Sequence, residues 1–228
     1  NDLLFMHIAA RGGTNMTIAT PGGWTLLQNT NATTVTRLAT FYRIASSEPA
    51  SYSVTFGGTT PSQQAVGAIT AYYGVKSSSP LDVNGAAATG NSASPSATSI
   101  TVAANSLVIA AFSHGSGNGT TGSAMFTTVA GMNERYDAQS QNATAANRSA
   151  LAADDIISAT AGATGAKTTT ASVSARWVAH QVAFNVDGVN PTGATTFPAS
   201  SGNYNAAGWA AGCGTAGICG TASDADSS

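Results

Sequence analysis

The groups able to do chemistry in this 228-residue chain are few: ten acids, eight bases, three histidines and two cysteines. A pair of carboxylates sharing a face could divide acid and base work or hold Ca²⁺. Asp154-Asp155 fails that test on a strand, where neighbours point to opposite faces, and reads as a solvated or edge feature. Asp224 and Asp226 would share a face, but no further oxygen ligands for a Ca²⁺ shell stand nearby. His180 lies on the apolar side of an alternating run and reads as a hydrogen-bonded core histidine. His114 precedes Gly115-Ser116-Gly117-Asn118-Gly119, which lacks the Gly-x-Ser-x-Gly spacing of a nucleophile elbow, and no triad can be assembled. Gly162-Ala163-Thr164-Gly165-Ala166-Lys167-Thr168 has the wrong glycine spacing for a phosphate loop and reads as a turn. The expectation is a protein without catalytic residues, metal or cofactor; a hydrolase on a jelly-roll scaffold would require a buried carboxylate pair in a cleft.

Cys213 and Cys219 stand six apart with every histidine far away in sequence, which favours a local disulfide over a metal site and hence an extracellular setting. Five glycosylation sequons, at Asn15, Asn31, Asn118, Asn142 and Asn147, are about the number such a composition yields by chance, although glycans would suit exposed loops of a secreted protein. Trp24, Trp177, Tyr72 and Tyr73 could stack on sugar rings, but a core of small residues needs its large side chains inside, so all but one face of the Tyr pair reads as core. Trp209 has little around it in sequence to bury it and reads as an anchor into a partner.

Ala, Gly, Ser and Thr make up 127 residues and charged residues only 18, with a net charge of −2. Hydrophobic content of 43% excludes a disordered polar chain. Scattered Lys and Arg offer no patch to a nucleic acid or an anionic membrane, and the longest apolar run, around Leu3 to Ala10, is too short to span a bilayer as a helix. A chain that begins at Asn1 without an initiator Met reads as a processed form or a piece of something longer.

The elements that must position these residues are strands. Tyr52-Ser53-Val54-Thr55-Phe56 alternates apolar and hydroxyl groups, as do Val178, His180, Val182, Phe184 and Val186 with their neighbours, and turn signals such as Gly12-Gly13, Pro21-Gly22-Gly23, Gly57-Gly58 and Asn118-Gly119 punctuate the runs. The fold expected is all-β, an antiparallel, jelly-roll-like β-sandwich over 1–187, followed by a linker and an extended Gly/Ala-rich tail over 188–228 that carries the disulfide. Two similar halves, about 1–75 and 98–187, repeat in order: Asn1 to Ile8 lies over Asn105 to Phe112, Pro21 to Thr25 over Val129 to Asn133, and Val66 to Val75 over Trp177 to Val186. Thr98-Ser99-Ile100-Thr101-Val102 precedes the second half as a candidate strand, with nothing equivalent before Asn1. A sandwich one strand short exposes an edge and an apolar groove, expected beside Leu3, Leu4, Phe5, Met6 and Ile8. The tail segment Thr195-Thr196-Phe197-Pro198 is the candidate filler.

Gly23-Trp24-Thr25-Leu26-Leu27, Phe41-Tyr42-Arg43-Ile44-Ala45, Glu48-Pro49-Ala50-Ser51-Tyr52, and Ala71-Tyr72-Tyr73-Gly74-Val75 followed by Pro80-Leu81-Asp82-Val83 together resemble a sandwich module of large secreted or surface proteins of bacteria and of phage tail or fibre proteins. The likeness covers roughly residues 1–187 and carries over no catalytic residue. Gly208-Trp209 through Cys213 and Gly217-Ile218-Cys219-Gly220-Thr221-Ala222 with Asp224 look like the opening strands of an immunoglobulin-like module, which commonly follows such a domain. The resemblance implies a strand before the position of Asn1. The function expected is a non-enzymatic extracellular structural subunit whose copies join head to tail into a filament by strand complementation, with Phe197 seated in a pocket to set the register. The alternative is an adhesin or carbohydrate-binding module taking a surface glycan; neither reading calls for nucleic acid or membrane insertion.

Overall fold

The computed structural model describes residues 2–59, 64–117, 125–141, 144–187, 192–197 and 219–223. The first half holds β1 (Leu3–Arg11), β2 (Met16–Ile18), β3 (Thr25–Ala32), β4 (Thr36–Ile44), β5 (Phe56–Gly58) and β6 (Ala65–Tyr72). Then come β7 (Leu81–Asn84), β8 (Ala88–Ser92), β9 (Ser96–Ala97) and β10 (Thr101–Val102). The second half holds β11 (Ser106–His114), β12 (Asn133–Gln139), β13 (Ala150–Ser158), β14 (Gly162–Ala163), β15 (Lys167–Thr168) and β16 (Ala175–Asn185), and β17 (Thr192–Phe197) and β18 (Cys219–Ser223) follow. The chain divides into two compact units, Asn1–Val186 and Asp187–Ser228.

The first unit is an all-β antiparallel sandwich. One sheet has the order β3-β4-β1-β6; the other runs β12-β13-β11-β16-β7, with β8 also paired to β16. Between them lies a core of Leu3, Phe5, Leu38 and Tyr72 from the first sheet against Leu107, Ile109, Val182 and Phe184 from the second. Each outer face is covered as well. Met16, Ile18 and Trp24 lie over Met6, Ile8, Ala39 and Phe41, while Met125, Phe126, Val129 and Met132 lie over Ala110, Phe112, Ala152 and Trp177. Strands buried on both faces need no polar alternation. That is why β11, buried at all nine positions, reads as the nearly continuous apolar run Leu107 to Phe112.

In the second unit β17 pairs antiparallel with β18. Cys219, on β18, is disulfide-bonded; Cys213, the other cysteine of the sequence, lies outside the described residues.

Candidate functional site

The strand expected to be the open edge is an inner one. Leu3, Leu4, Phe5, Met6 and Ile8 pair with β4 on one side and with β6 on the other. Both hydrogen-bonding edges of that backbone are taken, so it cannot accept a further strand, and the acceptor assignment is corrected. The edge of this sheet is β6, which pairs only with β1 among the described residues.

Register shows how the halves correspond. Leu3 sits opposite Ile44 and Tyr72, and Leu107 sits opposite Ile157 and Phe184. Thus β1, β4, β3 and β6 take the places of β11, β13, β12 and β16, with Tyr72 equivalent to Phe184. This moves the sequence match of Val66 to Val75 by one residue: Val66 stands for Val178, not Trp177. A single-residue slip on a strand exchanges the two faces, and Trp177 indeed belongs to the outer cluster while Val178 is in the inner core. The strand that widens the second sheet is also earlier than expected. Of Thr98 to Val102 only Thr101 and Val102 enter a ladder, with Gly162 and Ala163, whereas β7 and β8 cover the edge of β16. On β6 that position is unpaired among the described residues.

Beside the unpaired edge runs an apolar groove of about 380 Å³, lined by Met6, Ile8, Tyr52, Val54, Gly67, Ala68 and Ile69. It continues along Phe56, Ala65 and Val66. Ile69 stands 45% exposed on the outer face. The far wall is the extended stretch Tyr52 to Thr55, whose residues alternate between half-buried and exposed as expected. Only Phe56 of the anticipated strand joins a ladder, with Ile18 of β2. The wall is pinned by chemistry that the sequence motifs held separately. Arg43 pairs with Glu48 at 3.1 Å and places its guanidinium over Trp24 and Tyr52, 5.9 and 5.7 Å from the ring centroids. The two rings meet edge to face at 5.1 Å. Such contacts fix a loop far better than its backbone alone could.

Polar groups inside the sandwich tie the sheets together. Thr40 Oγ1 lies 2.9 Å from His180 Nε2, and Tyr136 Oη lies 3.3 Å from His7 Nδ1. Burial, reinforced for His7 by the neighbouring His180, lowers the imidazoles to about 3 and about 4, so both are neutral. Asp154 and Asp155 do occupy opposite faces, but neither is solvated nor at an edge, because β13 is an inner strand flanked by β11 and β12. Asp155 receives a two-pronged contact from Arg135. Asp154 accepts from the Val129 N–H at 3.1 Å, and burial raises it to about 6. Asp137, which the sequence reading passed over, clamps the second outer cover by accepting from the N–H groups of Met125 and Phe126 at 2.6 and 2.7 Å. Only its place in a strand facing that cover could have marked it out.

Trp24, Trp177 and Tyr72 are buried, and Tyr73 is 90% exposed, so these four do not assemble into a flat sugar platform. Among the sequons, Asn15 and Asn147 are exposed on short 3₁₀ turns. Asn31 is half-buried and bonded to Arg37 and Thr33; Asn118 and Asn142 lie outside the described residues. His114 is buried, with Nδ1 3.0 Å from the Ser116 carbonyl. Of the tail residues, Thr195, Thr196 and Phe197 lie in β17, whereas Pro198, Trp209, Asp224 and Asp226 lie outside the described residues. Among the described residues no group of three or more His, Cys, Asp or Glu is placed to hold a metal ion, and no helix is long and apolar enough to cross a membrane. No protein-family model, curated protein or solved structure matches the chain.

Proposed function

We propose that this chain is a non-enzymatic extracellular structural subunit whose copies join by β-strand addition at the β6 edge. The observation that carries the reading is the backbone of β6, unpaired on its outer edge among the described residues and beside an apolar groove, in a molecule whose equivalent strand β16 has that position filled by β7 and β8. An incoming strand would gain backbone hydrogen bonds from the edge and bury side chains in the groove. The donor is the tail of another copy, around Thr195, Thr196, Phe197 and Pro198. Donation from one copy to the next does not close on itself, so the product is a filament. The disulfide at Cys219 agrees with an oxidising compartment.

Electron microscopy of the purified protein at increasing concentration tests the reading, with filaments as the expected result. Ile69→Lys places a charge on the exposed outer face of the acceptor strand, where it disturbs little of the monomer. This variant is expected to keep its melting temperature and lose the filaments. A wild-type protein that sediments as a single monomer throughout overturns the proposal.

A further inference from the structure

The repeat that leaves β6 unpaired also contains the strand that fits it. In the first half, β6 is followed by a short connection, Pro80, and then β7, which crosses to the edge of β16 in the opposite sheet. In the second half, β16 is followed by a connection of similar length, Pro191, and then β17. β17 therefore occupies in the second repeat the place β7 occupies in the first. By the approximate two-fold relation of the halves, a strand of the β17 kind, whichever copy supplies it, matches the edge of β6 as β7 matches that of β16.

We infer that β17 of one copy seats on β6 of a neighbouring copy in the register that β7 takes on β16. This rests on the proposed assembly and names its register. On β16, Val182 faces Asn84, Ala183 faces Val83 and Phe184 faces Leu81, with Asp82 left over as a bulge. The inter-strand matches of the first sheet put Thr70, Ala71 and Tyr72 at the places of Val182, Ala183 and Phe184. Aligning Pro191 with Pro80 puts Thr195, Ala194 and Thr192 at those of Asn84, Val83 and Leu81. The pairs are then Thr70 with Thr195, Ala71 with Ala194 and Tyr72 with Thr192. Gly193 falls on the bulge, a place that glycine tolerates. Continuing the ladder, Phe197, the one large apolar residue of β17, falls opposite Ala68, at the level of the inward-facing His7 of β1. Among the described residues β18 pairs with one edge of β17 and no strand pairs with the other, the edge this ladder would use.

Cysteine pairing in the full chain tests the register. Thr70→Cys and Thr195→Cys are introduced together and, separately, into two proteins that are then mixed; linkages are located by mass spectrometry of the peptides, and folding is checked by circular dichroism. Opposed residues of an antiparallel pair lie within disulfide reach. The expected result is a ladder of covalent oligomers joined 70 to 195, and a 70–195 linked dimer from the mixture. Val66→Cys replaces Thr70→Cys as the control. It lies four residues along β6, roughly 13 Å away, and is expected to give less than a tenth of the linkage. Filaments that form without the 70–195 link overturn this register and leave the assembly reading standing. Linkage within single chains, with none in the mixture, overturns the neighbour as donor. A monomer with neither filaments nor linkage overturns both.

Discussion

Two imidazoles buried without charge make the sandwich sensitive to acid. Histidine in the unfolded chain titrates near 6.5, whereas His7 and His180 in the fold take protons only near 3 and near 4. Below pH 6.5 the unfolded chain therefore binds protons that the native one refuses, and stability falls as the pH drops towards 4. Each histidine contributes up to about 1.4 kcal/mol per pH unit to this loss. Asp154 works in the opposite sense: raised to about 6 from 3.8, it takes a proton in the native state first, a contribution present at low pH and lost as the pH rises through 6. Asp137, also raised by burial, adds to that opposition. His180→Gln removes one titrating group while leaving a neutral polar side chain beside Thr40. Urea unfolding of both proteins between pH 6 and 4.5 should show an acid slope shallower in the variant by about 1 kcal/mol per pH unit. Equal slopes would mean that His180 is protonated or hydrated in the fold.

At the level of elements, the strand that completes the second sheet depends on close approach. Gly90 of β8 lies under Trp177 of β16, and a methyl group there would come within 2.3 Å of the indole ring. The indole also donates to Ser92 Oγ at 3.0 Å, so the ring has little freedom to move. Gly90→Ala is expected to cost about 1–3 kcal/mol and to loosen β8 from β16. Hydrogen exchange at Ala88 to Ser92 would show it as faster exchange there than at β11. The sequence displays the alternation of stretches with one solvated face, such as Tyr52 to Phe56, of which only Phe56 enters a strand, and the order of the repeats. It could not say on which side β1 pairs, because an apolar run buried on both faces looks the same at an edge as in the middle. The match of β6 to β16 slipped for a related reason: Ala65-Val66-Gly67-Ala68 is made of small residues whose size does not distinguish inside from outside. Arg43 and Glu48 were visible in the motifs, but the groove wall they brace arises from a fold that brings Trp24 and Tyr52 together.

For the whole molecule, the shortage of charge bears on how copies would meet. Edge strands are commonly protected by Lys, Pro or inward-pointing charges, and Ala65 to Tyr72 has none of these. Thr192 to Phe197, the strand inferred to join it, is uncharged as well. A contact made of backbone hydrogen bonds and apolar burial between two neutral strands gains almost nothing from long-range attraction. Salt shortens the Debye length from roughly 14 Å at 0.05 M to roughly 4 Å at 0.5 M, but it has no ion pair to weaken at this edge. The critical concentration for filament formation, read from the monomer left after sedimentation, should therefore change by less than about threefold across that range. Screening of the net charge of −2 would push it slightly downward. A rise of tenfold or more would place the contact on charged surfaces such as those around Arg135 or Arg176, away from the neutral β6 edge.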